Sequence, residues 1–222
     1  MNSKNIAVIG SGISGLSAAW LLSKKHRVTL LEADDRLGGH TNTVDMDVDG
    51  KTVPVDTGFI CFNSATYPNL VALFDHLDVP VHDTMMGFAV SRFSGGYEYS
   101  GGSYAALFGQ WSNIASPAHW TMIRDILRFF KEAATDLDAM PAEQSLGEYL
   151  ASKGYSRAFV QNHLLPMGAA IWSSDAGDVM DYPARAFISF FRNHALLQVD
   201  NRPKWGPVVG GSRTYLEALV AD

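Results

Sequence analysis

Cysteine is nearly absent. Cys61 is the single one in 222 residues, which excludes a disulfide framework, a thiolate metal cluster and a redox pair. Flanked by Ile60 and Phe62, it reads as a small buried hydrophobe. The seven histidines (His26, His40, His76, His82, His119, His163 and His194) are scattered, with none of the short spacings of a zinc site. Basic charge is also scarce: 17 Lys and Arg against 23 Asp and Glu leave a formal charge of −6. That balance, with no basic tract, opposes binding to nucleic acid. No apolar run approaches the roughly 18 to 20 residues of a membrane-spanning helix. Nor is there room for a signal peptide before the first strand pattern, so the expectation is a cytoplasmic protein without a transmembrane segment. Ser-His-Asp spacings, phosphate-loop signatures, internal repeats and low-complexity segments are missing too.

What the chain has in quantity is glycine, and its placement between Ile6 and His40 is informative. Ile6 to Ile9 form a short continuous apolar run, which predicts a strand buried on both faces of a parallel sheet. Helical spacing follows in Ile13, Leu16, Ala19 and Trp20, polar residues close it at Ser23 to His26, and Val28 to Leu31 predict a second strand. In that strand–helix–strand setting Gly10 permits a tight turn, Gly12 allows a pyrophosphate to approach the backbone, and Gly15 lets the helix pack closely on the strand. The helix N-terminus then favours an anion. Glu32, at the end of the second strand, is placed to accept hydrogen bonds from ribose hydroxyls and to repel a 2′-phosphate.

A nicotinamide site needs nothing after Glu32, yet the chain continues through Arg36 to a second glycine pair, Gly38 and Gly39. Arg36 carries forked donors suited to phosphate or ribose, and the glycines allow close backbone approach to a bulky charged ligand. Here the chain resembles the flavin-containing amine oxidase superfamily, which includes monoamine oxidases, protoporphyrinogen oxidases and phytoene-desaturase-like enzymes. The likeness lies in VIGSGISGLSAAWLL, LLEADDRLGGHTNT, VDTGF and GGSRTYLEAL. YPNL, LLPMGAAIWS and RPKW are similar to stretches of bacterial FAD-binding oxidoreductases within it.

The resemblance implies FAD as cofactor. Ile9, Gly10, Ser11, Gly12, Ile13, Ser14 and Gly15 would line the pyrophosphate, and Glu32 with Ala33 the adenosine ribose. Arg36, Gly38, Gly39, His40 and Thr41 would complete the phosphate site, His40 standing where many members have arginine. The turn Asp56, Thr57, Gly58, Phe59 would run beside the flavin. The implied fold class is α/β: a Rossmann-like FAD-binding domain with a parallel sheet, interrupted by a mostly helical substrate-domain insertion. The corresponding boundaries are 1–80, 81–201 and 202–222.

Between the motifs, alternation over Thr43 to Val55 predicts a hairpin with Val44, Met46 and Val48 on one face. A helix is expected at Tyr67 to Leu77, and a second hairpin at Phe88 to Phe93 with Tyr97 to Tyr99. A long helix over Pro117 to Met140 should bury Trp120, Ile123, Leu127, Phe130, Ala134 and Leu137. Ser145 and Glu148 have capping-box spacing, a helix from Ser156 to Leu165 should be interrupted by Pro166, and another should cover Pro183 to Leu196. In Leu164 to Ser173, Met167, Ile171 and Trp172 are the expected walls of a substrate pocket.

The expected activity is hydride transfer from a substrate C–H bond to flavin, on a small molecule that the aromatic-rich insertion suggests is apolar. The alternative is a dinucleotide-binding fragment without turnover; an NAD-dependent dehydrogenase leaves Arg36, Gly38 and Gly39 without a role. The family's remaining strands and C-terminal flavin motif find no counterpart, so catalytic residues cannot be assigned. A longer parent enzyme or a second copy of the chain is the expected partner.

Overall fold

The computed structural model describes residues 2–84, 86–172, 174–198 and 203–222. In chain order the first elements are β1 (Asn5–Ile9), α1 (Ile13–Ser23), β2 (Arg27–Leu31), β3 (Thr43–Val48), β4 (Lys51–Asp56), β5 (Phe62–Asn63) and α2 (Pro68–His76). There follow β6 (Ala89–Arg92), β7 (Tyr97–Ser100), α3 (Tyr104–Leu107), α4 (Trp111–Ile114), α5 (Pro117–Asp136), α6 (Leu146–Ser152), α7 (Arg157–Phe159), a π turn (Val160–Leu164), α8 (Leu165–Trp172), α9 (Ala176–Asp181) and α10 (Ala184–Asn193). The chain closes with β8 (Trp205–Gly206) and α11 (Arg213–Ala221). It divides into two compact units, Met1–Met85 with Pro203–Asp222, and Met86–Arg202.

The first unit is mixed α/β. β1 and β2 pair in parallel from Asn5↔Arg27 to Ile9↔Leu31, and α1 packs on both. Among the described residues this pair is the whole parallel sheet. The expectation of strands buried on both faces is therefore not met: β1 alternates between half-buried and exposed positions, and Ile9 is 85% exposed. β3 and β4 form the hairpin, turning at Asp49 and Gly50, both with positive φ. Its apolar side chains Val44, Met46, Val48, Val53 and Val55 stay 39–50% exposed.

The first unit's small core gathers Phe62, Phe74, Val79, Val208 and Tyr215. Phe74 packs edge-on to Phe62 at 5.0 Å and tilted against Tyr215 at 4.9 Å. The returning segment closes this core: β8 pairs with β5, Val81 bridges Val208, and Thr84 bridges Trp205. Because of those bridges, the expected start of the insertion at Val81 falls inside the first unit. Its expected end at Asn201 lies outside the described residues, as does Ser173.

Among its described residues the second unit is helical apart from the β6–β7 hairpin. Ser116 caps α5, its hydroxyl accepting from His119 N–H. The buried stripe of α5 is His119, Met122, Asp125, Ile126, Phe129 and Ala133, one position before the expected one, whereas Leu137, just past the end of α5, is buried as expected. Trp120 and Leu127 are half exposed instead. The capping box forms at Ser145, with Glu148 N–H donating to Ser145 Oγ at 3.2 Å and Ser145 N–H to Glu148 Oε2 at 3.0 Å.

Pro166 does not interrupt the helix: the π turn carries the chain straight into α8. Lacking an N–H, Pro166 can serve neither the carbonyl four residues back nor the one five back. Both are taken over from the hairpin. Tyr99 Oη donates to Asn162 O at 2.9 Å, and Arg92 Nη1 donates to Gln161 O at 2.8 Å.

Candidate functional site

The first unit brings the two glycine clusters into contact. Gly10 turns the chain out of β1 with φ +91°, its N–H donating to Leu31 O at 2.8 Å. A Cβ on Gly15 would lie 1.9 Å from Gly10 O, so only glycine lets α1 return this closely. Gly12 caps α1 in extended conformation, with no side chain bonded to the exposed helix end. The first N–H groups of α1 thus remain available to a ligand. Neither Gly10 nor Gly12 has a heavy atom within 4 Å of where a Cβ would stand.

The second cluster lies against the first. Gly38 bridges Gly12, its N–H donating to Ser11 O at 3.0 Å and Ser11 Oγ at 3.1 Å. A Cβ on Gly39, where φ is +57°, would be 3.2 Å from Gly12 Cα. Arg36 folds back on its own loop, Nη2 donating to Gly39 O at 2.8 Å. Glu32 faces this junction. Its carboxylate accepts from Ser11 Oγ and from the N–H groups of Asp34, Ser11 and Ala33, which hold its pKa down to about 2.

The turn Asp56–Phe59 joins the site through backbone. Thr57 N–H donates to Asn42 O at 2.9 Å, and a Cβ on Gly58 would be 2.1 Å from His40 O. The side chains of Asp56 and Thr57 are engaged elsewhere. Asp56 accepts from Thr43 Oγ1 and from the N–H and hydroxyl of Ser212, tying the Gly210–Gly211 loop ahead of α11 to the hairpin. Thr57 Oγ1 accepts from Asn42 Nδ2.

A recess of about 1140 Å³ opens at the α1 N-terminus. Gly12, Ile13, Ser14, Gly38, Gly39, His40, Thr41 and Phe59 line it, whereas Ile9, Gly10, Ser11, Gly15, Glu32, Ala33, Arg36, Asp56, Thr57 and Gly58 do not. It continues along Ser17, Trp20 and Leu21 of α1, and Leu70 and Leu73 of α2, residues that periodicity could only mark as helical. Tyr215 closes one wall, bonded to buried Thr41 at 2.8 Å. That pairing, 174 residues apart in sequence, has no local signal.

The expected substrate walls lie elsewhere. Met167, Ile171 and Trp172 pack on the core of the second unit, Trp172 against Tyr182, Phe187 and Phe190 at 4.9 to 5.5 Å. The opposite face of α8, with Leu165, Pro166, Ala169 and Ala170, lines a recess of about 540 Å³ beside Phe88 and Val90. Among the described residues no helix is long and apolar enough to cross a membrane, and no cluster of His, Cys, Asp and Glu could hold a metal.

A known family model, described as an NAD(P)-binding Rossmann-like domain, matches residues 8–77, a range that holds the glycine turn, β2 and the acid at its end. These residues form a Rossmann-like domain of the kind that model describes. Beyond it, similarity is partial. The chain is 58% identical over 43 residues to an L-amino-acid oxidase of Bungarus fasciatus, a stretch covering 19% of this chain and 8% of that protein. It is 50% identical over 50 residues to that of Pseudechis australis, 22% of this chain and 10% of the relative. In fold, 99% of the chain superposes on the A394C mutant of putrescine oxidase with a TM-score of 0.66 at 20% identity. An oxidoreductase from Methanosarcina mazei gives a TM-score of 0.57 at 17% identity, covering 98% of this chain and 48% of that one. The chain spans 49% of the putrescine oxidase chain; the Rossmann-like domain is thus set in a fold that those structures share.

Proposed function

We propose that the Rossmann-like domain binds FAD and that the chain is the cofactor-holding part of an oxidoreductase of the amine oxidase or desaturase type. The observation that carries this reading is the docking of Gly38 and Gly39 onto Gly12, a second phosphate-compatible turn for which a nicotinamide site has no use. Open space beside Gly10 and Gly12 fits a pyrophosphate against the α1 N-terminus. Glu32, ionised at neutral pH, suits a ribose with both hydroxyls free. His40, Thr41 and Phe59 continue the lining away from that end.

A bound flavin would supply the hydride-accepting chemistry. This chain's residues would bind the cofactor, orient it and keep water from it; no side chain is assigned a catalytic role. The recess in the second unit, lined by Phe88, Val90, Leu165 and Pro166 and also by Ser91, Arg92 and Gln161, is the candidate place for a small-molecule substrate that is largely apolar. A second reading, dinucleotide binding without turnover by this chain alone, is favoured by its span of about half the putrescine oxidase chain. Titration of the purified chain with FAD and with NADH tests the assignment. FAD should bind and NADH should fail to displace it; preferential binding of NADH overturns the flavin reading.

A further inference from the structure

Ser11 is fully buried, yet its polar atoms join three segments. Its N–H, at 2.7 Å, and its hydroxyl both donate to Glu32 Oε2. Its Oγ and its carbonyl oxygen both accept from Gly38 N–H. The other carboxylate oxygen, Oε1, takes the N–H groups of Ala33 at 2.7 Å and Asp34 at 3.0 Å, both on exposed chain.

The four lone-pair positions of the carboxylate are thereby filled. A hydroxyl arriving from solvent must displace one donor. The N–H groups of Ala33 and Asp34 can be released to water, whereas Ser11 is sealed behind the site and bonded to Gly38. Oε2 is thus the anchored oxygen and Oε1 the one that meets a ligand.

We propose that Ser11 is the positioning residue that gives this site its preference for a ribose carrying a free 2′-hydroxyl. The proposal rests on the nucleotide-binding reading of the Rossmann-like domain. With the Ser11 hydroxyl gone, Oε2 keeps only one donor, the Ser11 N–H, and Glu32 can swing about its own torsions, so its bond to the ribose is weakened. The phosphate contacts persist, because Gly38 N–H keeps the Ser11 carbonyl and the α1 N-terminus is untouched.

The test is titration of the full chain with ADP and with 2′-deoxy-ADP, for wild type, Ser11→Ala, Ser11→Thr and Glu32→Ala. Wild type should prefer ADP by about tenfold, the worth of one hydrogen bond to a charged group. Ser11→Ala should cut that preference to about twofold, read as the ratio of the two affinities. Ser11→Thr, which keeps a hydroxyl, should retain the preference, and Glu32→Ala should abolish it. A merely structural lesion weakens both nucleotides together and leaves their ratio intact, so a full preference in Ser11→Ala overturns the proposal. A wild type that binds both nucleotides equally overturns the role of Ser11 and Glu32 alone. One that binds neither ADP nor FAD overturns the nucleotide reading itself.

Discussion

Gly39 stands so close to Gly12 that a Cβ added to it would lie 3.2 Å from the Gly12 Cα, backbone against which no side chain can rotate away. The contact couples the loop after β2 to the turn that opens α1. Whatever binds at the α1 N-terminus therefore senses both.

Gly39→Val should push this loop off the first turn and weaken FAD binding by at least about tenfold, some 1.4 kcal/mol. Gly50→Ala is the control: it also has positive φ, +75°, but open space around it at the hairpin turn. It should lower stability by about 1 kcal/mol and leave FAD affinity unchanged. Parallel titrations and melts of the two variants separate the effects; equal FAD affinity in both contradicts the docking account.

Tyr99→Phe removes the donor that serves Asn162 O in the π turn. The variant loses this bond to a part-buried carbonyl and also the bond between Tyr99 Oη and His163 Nδ1, which together should destabilise the second unit by about 1–3 kcal/mol, read by denaturant unfolding. Phe93→Leu, at a largely exposed hairpin position, should fall within about 0.5 kcal/mol of wild type.

His119 is buried with Nδ1 hydrogen-bonded to Tyr97 Oη at 2.9 Å, and burial holds its pKa below the ordinary histidine value of 6.5. The unfolded chain then takes up a proton first, so stability is complete above about pH 6.5 and falls as the pH drops below it. Melting temperatures between pH 7.5 and 5 should show this fall. It should flatten in His119→Gln, which does not titrate; an unchanged slope in that variant assigns the dependence elsewhere.

Glu32 follows the same sign at lower pH. Its carboxyl, held down to about 2 from 4.5, contributes stability that is present above about pH 4.5 and is lost as pH falls towards 2. The affinity for FAD, whose pyrophosphate does not titrate in this range, should accordingly show no Glu32-linked change from pH 8 to pH 5. A decline centred near pH 4.5 would mean the carboxylate is not held by Ser11.

Local chemistry made much of this legible. The turn at Gly10, the cap at Ser145 and the hairpin at Asp49 and Gly50 each rest on residues a few positions apart, and each forms where the pattern placed it. Face assignment was harder. In α5 the doublets Ile126 with Leu127, Phe129 with Phe130 and Ala133 with Ala134 write two adjacent apolar stripes, and only tertiary packing selects the earlier one. α8 presents a similar difficulty: apolar all round, it gave no reason to place Trp172 in the core and Ala169 on a recess. In the sequence Pro166 reads as a break because the two donors that replace its missing N–H, Tyr99 and Arg92, lie more than 60 residues away. Long-range pairs such as Thr41 with Tyr215, or Asp56 with Ser212, are likewise invisible until the chain has folded.

The most direct test of the central claim is the visible absorption spectrum of the purified chain, followed by denaturation and identification of any released nucleotide. A flavin spectrum is expected, with FAD recovered in proportion to protein either as purified or after addition of FAD. A colourless protein that also fails to take up added FAD would overturn the flavin reading.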